Sequence, residues 1–175
     1  MSISDWTIDN LLSLLKIVMT LIGAIFVYYQ WKRNVNVQRA NFINQIVDKL
    51  RFDKDMANTL YLIDYTYDWY DEHFHENTKL QMQIDKVLSY LSYICYLIET
   101  GNISETEKSV IEYELFRVCE SPSTQAYLLN LYCFSLNRKI GCSFQNLIDY
   151  GIKHGIMDKS LFTKDCEKYP KRLNF

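Results

Sequence analysis

Residues 11–31 read LLSLLKIVMTLIGAIFVYYQW, and this run constrains everything else in the chain. At about 1.5 Å per helical residue, the run is roughly 30 Å long, the thickness of a hydrocarbon core. It predicts one transmembrane helix. Lys16 is its single charge. A mid-bilayer lysine costs about 2.5–3.5 kcal/mol on insertion scales, but Lys16 lies toward the amino end, where its butyl stem can carry the ammonium to the headgroups. The apolar run Ile17, Val18, Met19, Leu21, Ile22, Ala24, Ile25, Phe26 and Val27 outweighs it. Trp6 on one side and Tyr28, Tyr29 and Trp31 on the other match the aromatic belts of membrane interfaces. The rival reading is an unusually apolar buried helix of a soluble oligomer.

Flanking charge predicts the orientation. Met1 to Asn10 holds Asp5 and Asp9 and no lysine or arginine, whereas Lys32, Arg33 and Arg39 follow the run. The positive-inside rule then places the carboxyl side in the cytoplasm and the amino-terminal stub outside, a single-pass arrangement in the inner membrane. A cleaved signal peptide fits poorly. No basic stretch precedes the apolar run, and no small-residue cleavage site follows it. Thr20 and Gly23-Ala24 provide small residues, but no full GxxxG directs self-association.

About 145 residues follow the span, enough for one domain with a real core. Only 5 Gly and 2 Pro among 175 residues favour long helices with short connections over a turn-rich β fold. A net charge of −2 provides no general attraction to nucleic acid. Cys95, Cys119, Cys133, Cys142 and Cys166 include no CxxC and read as reduced, packing cysteines of a cytosolic domain.

The fold class is therefore all-α: one amino-terminal transmembrane helix and a cytosolic bundle of about five or six helices. Residues 1–10 form the stub, 11–31 the span, 32–52 a juxtamembrane helix, 53–156 the helical domain and 157–175 the tail. In the juxtamembrane helix, Phe42, Ile43, Ile46, Val47 and Leu50 form an apolar stripe. Lys32, Arg33 and Arg39 are placed to meet anionic headgroups. Asp53 to His75 is expected as the next helix, with Met56, Leu60, Ile63, Tyr67, Tyr70 and Phe74 on one face. Leu80 to Thr100 is the expected central helix, closed by Gly101-Asn102. Ser104 and Glu107 make a capping box that starts a helix running to about Glu120. Ser121-Pro122 starts another, running to about Arg138 and closed by Gly141; Ser143 opens a short last one. The tail mixes Lys159, Lys164, Lys168, Lys171 and Arg172 with Asp158, Asp165 and Glu167, and Leu161, Phe162, Leu173 and Phe175 are candidates to dock on the core.

Three groups of residues carry the candidate chemistry. Tyr61, Tyr65 and Trp69 form an aromatic stripe on the expected second helix. It is either core or a recognition surface for a base or adenine ring, and the scarcity of interleaved basic residues favours core. Asp64, Asp68 and Asp71 share a face at helical spacing, which makes them either a cation site or a wetted acidic face. The run Asp71 to Glu76 is the densest set of potential ligands. His73 and His75 point some 200° apart on a helix, however, and no further ligand follows at recognisable spacing. GxGxxG, Walker, GxSxG and HExxH motifs are absent, and glycine is too scarce for a phosphate-cradling loop. No enzyme, cofactor or resident metal is expected.

Arg39, the Phe42 to Leu50 segment, Leu62-Ile63-Asp64-Tyr65, Trp69-Tyr70 and Leu88-Ser89-Tyr90-Leu91-Ser92-Tyr93-Ile94-Cys95-Tyr96-Leu97 resemble a family of short bacterial proteins. Members of that family have one amino-terminal span and a helical cytosolic domain of unknown function. The resemblance covers most of the chain and implies the architecture, but it carries no functional residue across. Two roles suit the layout. One is a non-enzymatic scaffold or interaction protein that engages the bilayer and a protein partner or a second copy of itself. The other is a membrane effector of the phage-defence type, whose domain senses a nucleotide or protein and perturbs the bilayer, motivated by Lys16.

Overall fold

The computed structural model describes residues 3–162, with side chains from residue 10 onward. The Trp6 side chain, Cys166 and the tail from residue 163 onward, with Leu173 and Phe175, lie outside what is described. Among the described residues there are seven α-helices, one short 3-10 turn and no strand. The helices are α1 (Ile3–Arg51), α2 (Lys54–Tyr65), α3 (Thr78–Glu99), α4 (Glu105–Lys108), α5 (Glu112–Glu120), α6 (Pro122–Arg138) and α7 (Gln145–Lys153), with the 3-10 turn Phe74–Glu76 between α2 and α3. The chain divides into two compact units, Met1–Ile46 and Val47–Phe175.

The first unit is a single helix. The span and the juxtamembrane segment run together in α1, which has 49 residues and is about 73 Å long. It is the one helix among the described residues long and apolar enough to cross a membrane. Leu11, Leu14, Leu15, Ile17, Met19, Leu21, Ile22, Ile25 and Phe26 are all exposed on its surface. Thr20 Oγ1 donates to the Lys16 carbonyl at 2.9 Å, which satisfies the hydroxyl within the helix.

The second unit is built around α3. Ile84, Val87, Leu88, Leu91, Ile94 and Cys95 are buried along its length. α3 packs against α2, α7 and the 3-10 turn, as expected of a central helix. Asn77 caps its amino end by accepting from Leu80 N at 3.1 Å, and Gly101 follows its carboxyl end at φ +73°, where a Cβ is disfavoured. The capping box forms as read: Ser104 N donates to Glu107 Oε2 at 2.8 Å, and Glu107 N donates to Ser104 Oγ at 3.4 Å. Ser121 caps α6, with Pro122 in its first turn.

Four local expectations are not met, the first two because of tertiary packing. The helix expected over Asp53 to His75 stops at Tyr65, and Thr66 adopts an extended conformation. On a continuous helix Trp69 and Tyr70 would point about 100° apart. The irregular segment instead buries Trp69, Tyr70 and Phe74 together against Tyr127. The helix expected from Ser104 to Glu120 breaks between α4 and α5. Ile111 is buried there, and the Val110 carbonyl accepts from Arg51 Nη2 at 2.8 Å instead of from a following turn. Lys139, not Gly141, ends α6, with a left-handed φ of 57°. α7 begins with Phe144, not Ser143, at its N-cap position, and no side chain caps it. Gly151 within it is a close approach: a Cβ there would stand 2.7 Å from the Met157 side chain.

Candidate interaction surface

α2 turns Tyr61, Asp64 and Tyr65 outward, and α5 brings Tyr113, Phe116 and Arg117 beside them. Arg117 organises the surface. One of its terminal nitrogens donates to Asp64 Oδ2 at 2.6 Å and to the Leu60 carbonyl at 3.3 Å. Its guanidinium carbon lies 5.4 Å from the Tyr61 ring centroid and 5.5 Å from that of Tyr113, a cation–π contact on each side. Tyr61 and Tyr65 are stacked, with centroids 5.9 Å apart and planes 13° from parallel. Tyr61, Tyr65 and Tyr113 are 55%, 78% and 63% exposed, whereas the Arg117 side chain is only 12% exposed. The result is an aromatic shelf braced from beneath by a largely covered guanidinium.

The shelf splits the stripe read from sequence. Tyr61 and Tyr65 are on it; Trp69 is not, being 4% exposed beyond the end of α2. Sequence reading missed Tyr113 and Arg117. Their i,i+4 spacing was the available signal, because it places an aromatic ring and a cation side by side on a helix. A second stacked pair, Tyr93 and Tyr96, is exposed on α3 with centroids 6.5 Å apart.

The proposed cation face does not form. Asp64 is in α2 and bound to Arg117, while Asp68 and Asp71 follow the end of the helix. Asp71 Oδ1 accepts from His73 N at 3.0 Å. His73 and His75 serve separately: His73 Nδ1 lies 3.3 Å from Glu76, and His75 Nε2 lies 3.2 Å from Tyr70 Oη. Among the described residues, no group of three or more His, Cys, Asp or Glu is placed to hold a metal ion. On α1, Trp31 is exposed, and Lys32 and Arg33 line a shallow groove of about 490 Å³ with Tyr29, Asn36, Val37 and Ala40.

The cysteines are not a uniform set. Cys95, Cys119 and Cys142 are free, but Cys133 is disulfide-bonded, contrary to the all-reduced reading. Spacing alone does not reveal such a pairing. Burial pushes the Cys119 thiol up to about 12 and also raises that of Cys95, so both remain protonated packing groups without nucleophilic character.

Inside the bundle is a polar network. Tyr127 Oη donates to Asp85 Oδ1 at 2.6 Å, and Asn130 Nδ2 donates to Tyr70 Oη at 2.8 Å. Trp69, Phe74 and His75 complete an aromatic box around Tyr127. Burial raises the Asp85 carboxyl above its ordinary range, against the opposing pull of the Tyr127 hydrogen bond and nearby His75.

Comparison with protein-family models, curated proteins and solved structures finds no match for this chain.

The Asp85 shift fixes the sign of one pH dependence. A carboxyl whose folded pKa is raised contributes stability in full below its unfolded value of 3.8, and this stability is lost as pH rises through the folded value. Asp85→Asn cannot titrate. Denaturant unfolding followed by Trp69 fluorescence will show the wild type losing stability relative to Asp85→Asn as pH rises from about 3 to 7. A wild type that gains on the variant over that range reverses the assignment.

Proposed function

We propose that this chain is a membrane-anchored, non-enzymatic interaction or scaffold protein. It holds a protein partner, or a second copy of itself, through the shelf of Tyr61, Tyr65, Tyr113 and Arg117. The shelf is the observation that carries this reading. Tyrosine and arginine are the side chains enriched where proteins bind one another, and here exposed tyrosines, two of them stacked, rest on a largely covered arginine that Asp64 fixes. The uncovered apolar surface of α1 supports the anchor. The second unit favours proteins over nucleic acid, since residues 47–162 contain 17 Asp and Glu against 11 Lys and Arg. A nucleotide has little support, because the one cation at the shelf is already paired with Asp64.

The proposed setting is the inner membrane of a bacterium, with the amino terminus outside and the helical unit in the cytoplasm. Lys32, Arg33 and Arg39 after the span, against Asp5 and Asp9 before it, support that orientation. Fluorescent-protein fusions test it. A carboxyl-terminal fusion that matures and fluoresces, with an amino-terminal one that does not, is the expected pair; the opposite pair inverts the topology.

The interaction reading is tested by a photo-crosslinking amino acid at Tyr65 in living cells. Discrete adducts are expected, and they disappear in Tyr61→Ser/Tyr113→Ser. Adducts that persist in that variant, or that form equally from a crosslinker at exposed Glu99, remove the shelf from the interaction.

One observation favours the effector reading as an alternative. Lys16 lies in the exposed apolar part of α1, and residues 10–31 contain no acidic side chain to pair with it. An intramembrane cation of this kind marks a functional position by default. Membrane potential separates the two roles: depolarisation by the full chain that is abolished by Lys16→Leu establishes the effector, and an unchanged potential with both chains leaves the scaffold.

A further inference from the structure

The face of α2 opposite the shelf borders a second feature. Asp55, Met56 and Thr59 on α2 meet Lys79, Met82 and Lys86 on α3 around an open cavity of about 450 Å³. Its volume falls within the range of small-molecule sites, roughly 300–1,000 Å³. Met56 is fully buried and forms floor, while Met82 is 67% exposed above it. Methionine is unbranched and polarisable, which suits a site that moulds itself to a flexible apolar body. Lys79, Met82 and Lys86 recur at three and four residues, so cation, thioether and cation follow one another along one face of α3.

Charge decides what fits. Acidic residues outnumber basic ones in this unit, so a groove with two lysines is locally set apart from its surroundings. Lys86 meets Asp55 only at 3.9 Å, the outer limit of an ion pair. Lys79 forms no ion pair among the described residues. One ammonium is therefore open and the other weakly held. No aromatic side chain lines the cavity, which leaves a nucleobase without a stacking surface.

We propose that the α2–α3 groove binds a single-chain anionic amphiphile: a short or medium acyl body over Met56 and Met82, and a carboxylate or phosphate head held by Lys79 with Lys86. This site is separate from the aromatic shelf and does not depend on what the shelf binds.

The test uses the full chain in nanodiscs of uncharged lipid, with a diazirine-bearing decanoate as probe. Adducts are expected on the peptides that contain Met56 and Met82. They fall roughly tenfold in Lys79→Gln/Lys86→Gln and return in Lys79→Arg/Lys86→Arg, which keeps both charges. Unlabelled decanoate or decyl phosphate displaces the probe, and the stronger competitor identifies the head group. ATP, with phosphates but no acyl body, does not displace it. Adducts confined to α1, adducts unchanged in the Gln pair, or displacement by ATP as effective as by decanoate would each overturn the proposal.

Discussion

The apolar surface of α1 from Leu11 to Phe26 has no cover within the described chain, and that is the constraint on which the rest depends. Moving one Leu, Ile, Phe or Met side chain out of water stabilises by about 1.5–3 kcal/mol. Leu11 to Phe26 presents about a dozen such side chains, so leaving them in water forfeits a sum well above the 5–15 kcal/mol by which a whole domain is usually stable. Some apolar medium must cover them. A helix can enter lipid without loss because its backbone bonds are satisfied internally, and Thr20 keeps to that rule by bonding the Lys16 carbonyl. Lys16 is the side chain that does not follow it, which is why a functional alternative attaches to that residue and to no other in the span.

α1 and α3 show how little composition alone distinguishes. Both are rich in Leu, Ile and Val. α3 is covered by α2, α7 and the 3-10 turn, so its apolar side chains form the core, while those of α1 between Leu11 and Phe26 remain bare. The sequence carries the distinction in the polar residues. Gln81, Gln83, Asp85 and Lys86 occur in the first half of α3, whereas 17–29 contain no charge at all. One of these polar residues has a further consequence. Asp85 accepts from Tyr127 within the bundle, and that bond ties α3 to α6 beside the aromatic box.

Where local chemistry decides, the sequence was legible. Ser104 with Glu107, Ser121 with Pro122 and the apolar face of α3 all correspond to their structural counterparts, because a cap or a stripe needs only its own few residues. Where distant residues decide, it was not. The end of α2 depends on Tyr127, which is more than fifty positions away and gathers Trp69, Tyr70 and Phe74. The break before α5 depends on Arg51 reaching Val110 and Glu114. The left-handed Lys139 is a local exception, standing in for the expected glycine while Ile140 N closes the helix on the Ser135 carbonyl. The same reasoning explains the candidate surface. Tyr61 and Tyr65 were visible as a pair, but Trp69 left the stripe once the helix ended, and Arg117 joined it from a different helix.

The bracing of that surface matters more than its composition. Tyrosine has few side-chain torsions to immobilise, so ordering it on binding costs little. Tyr61 is also held in advance, stacked on Tyr65 on one side and against the Arg117 guanidinium on the other. Arg117 is fixed in turn by Asp64 and the Leu60 carbonyl, so the cation is spent on positioning the rings and is not offered to an anion. A shelf built in this way presents flat, rigid faces with hydroxyl edges and little net charge. That chemistry suits a protein surface, and it differs from the groove on the other side of α2, where two loosely held lysines flank flexible methionines. One short helix thus separates a rigid aromatic face from an adaptable one flanked by lysines.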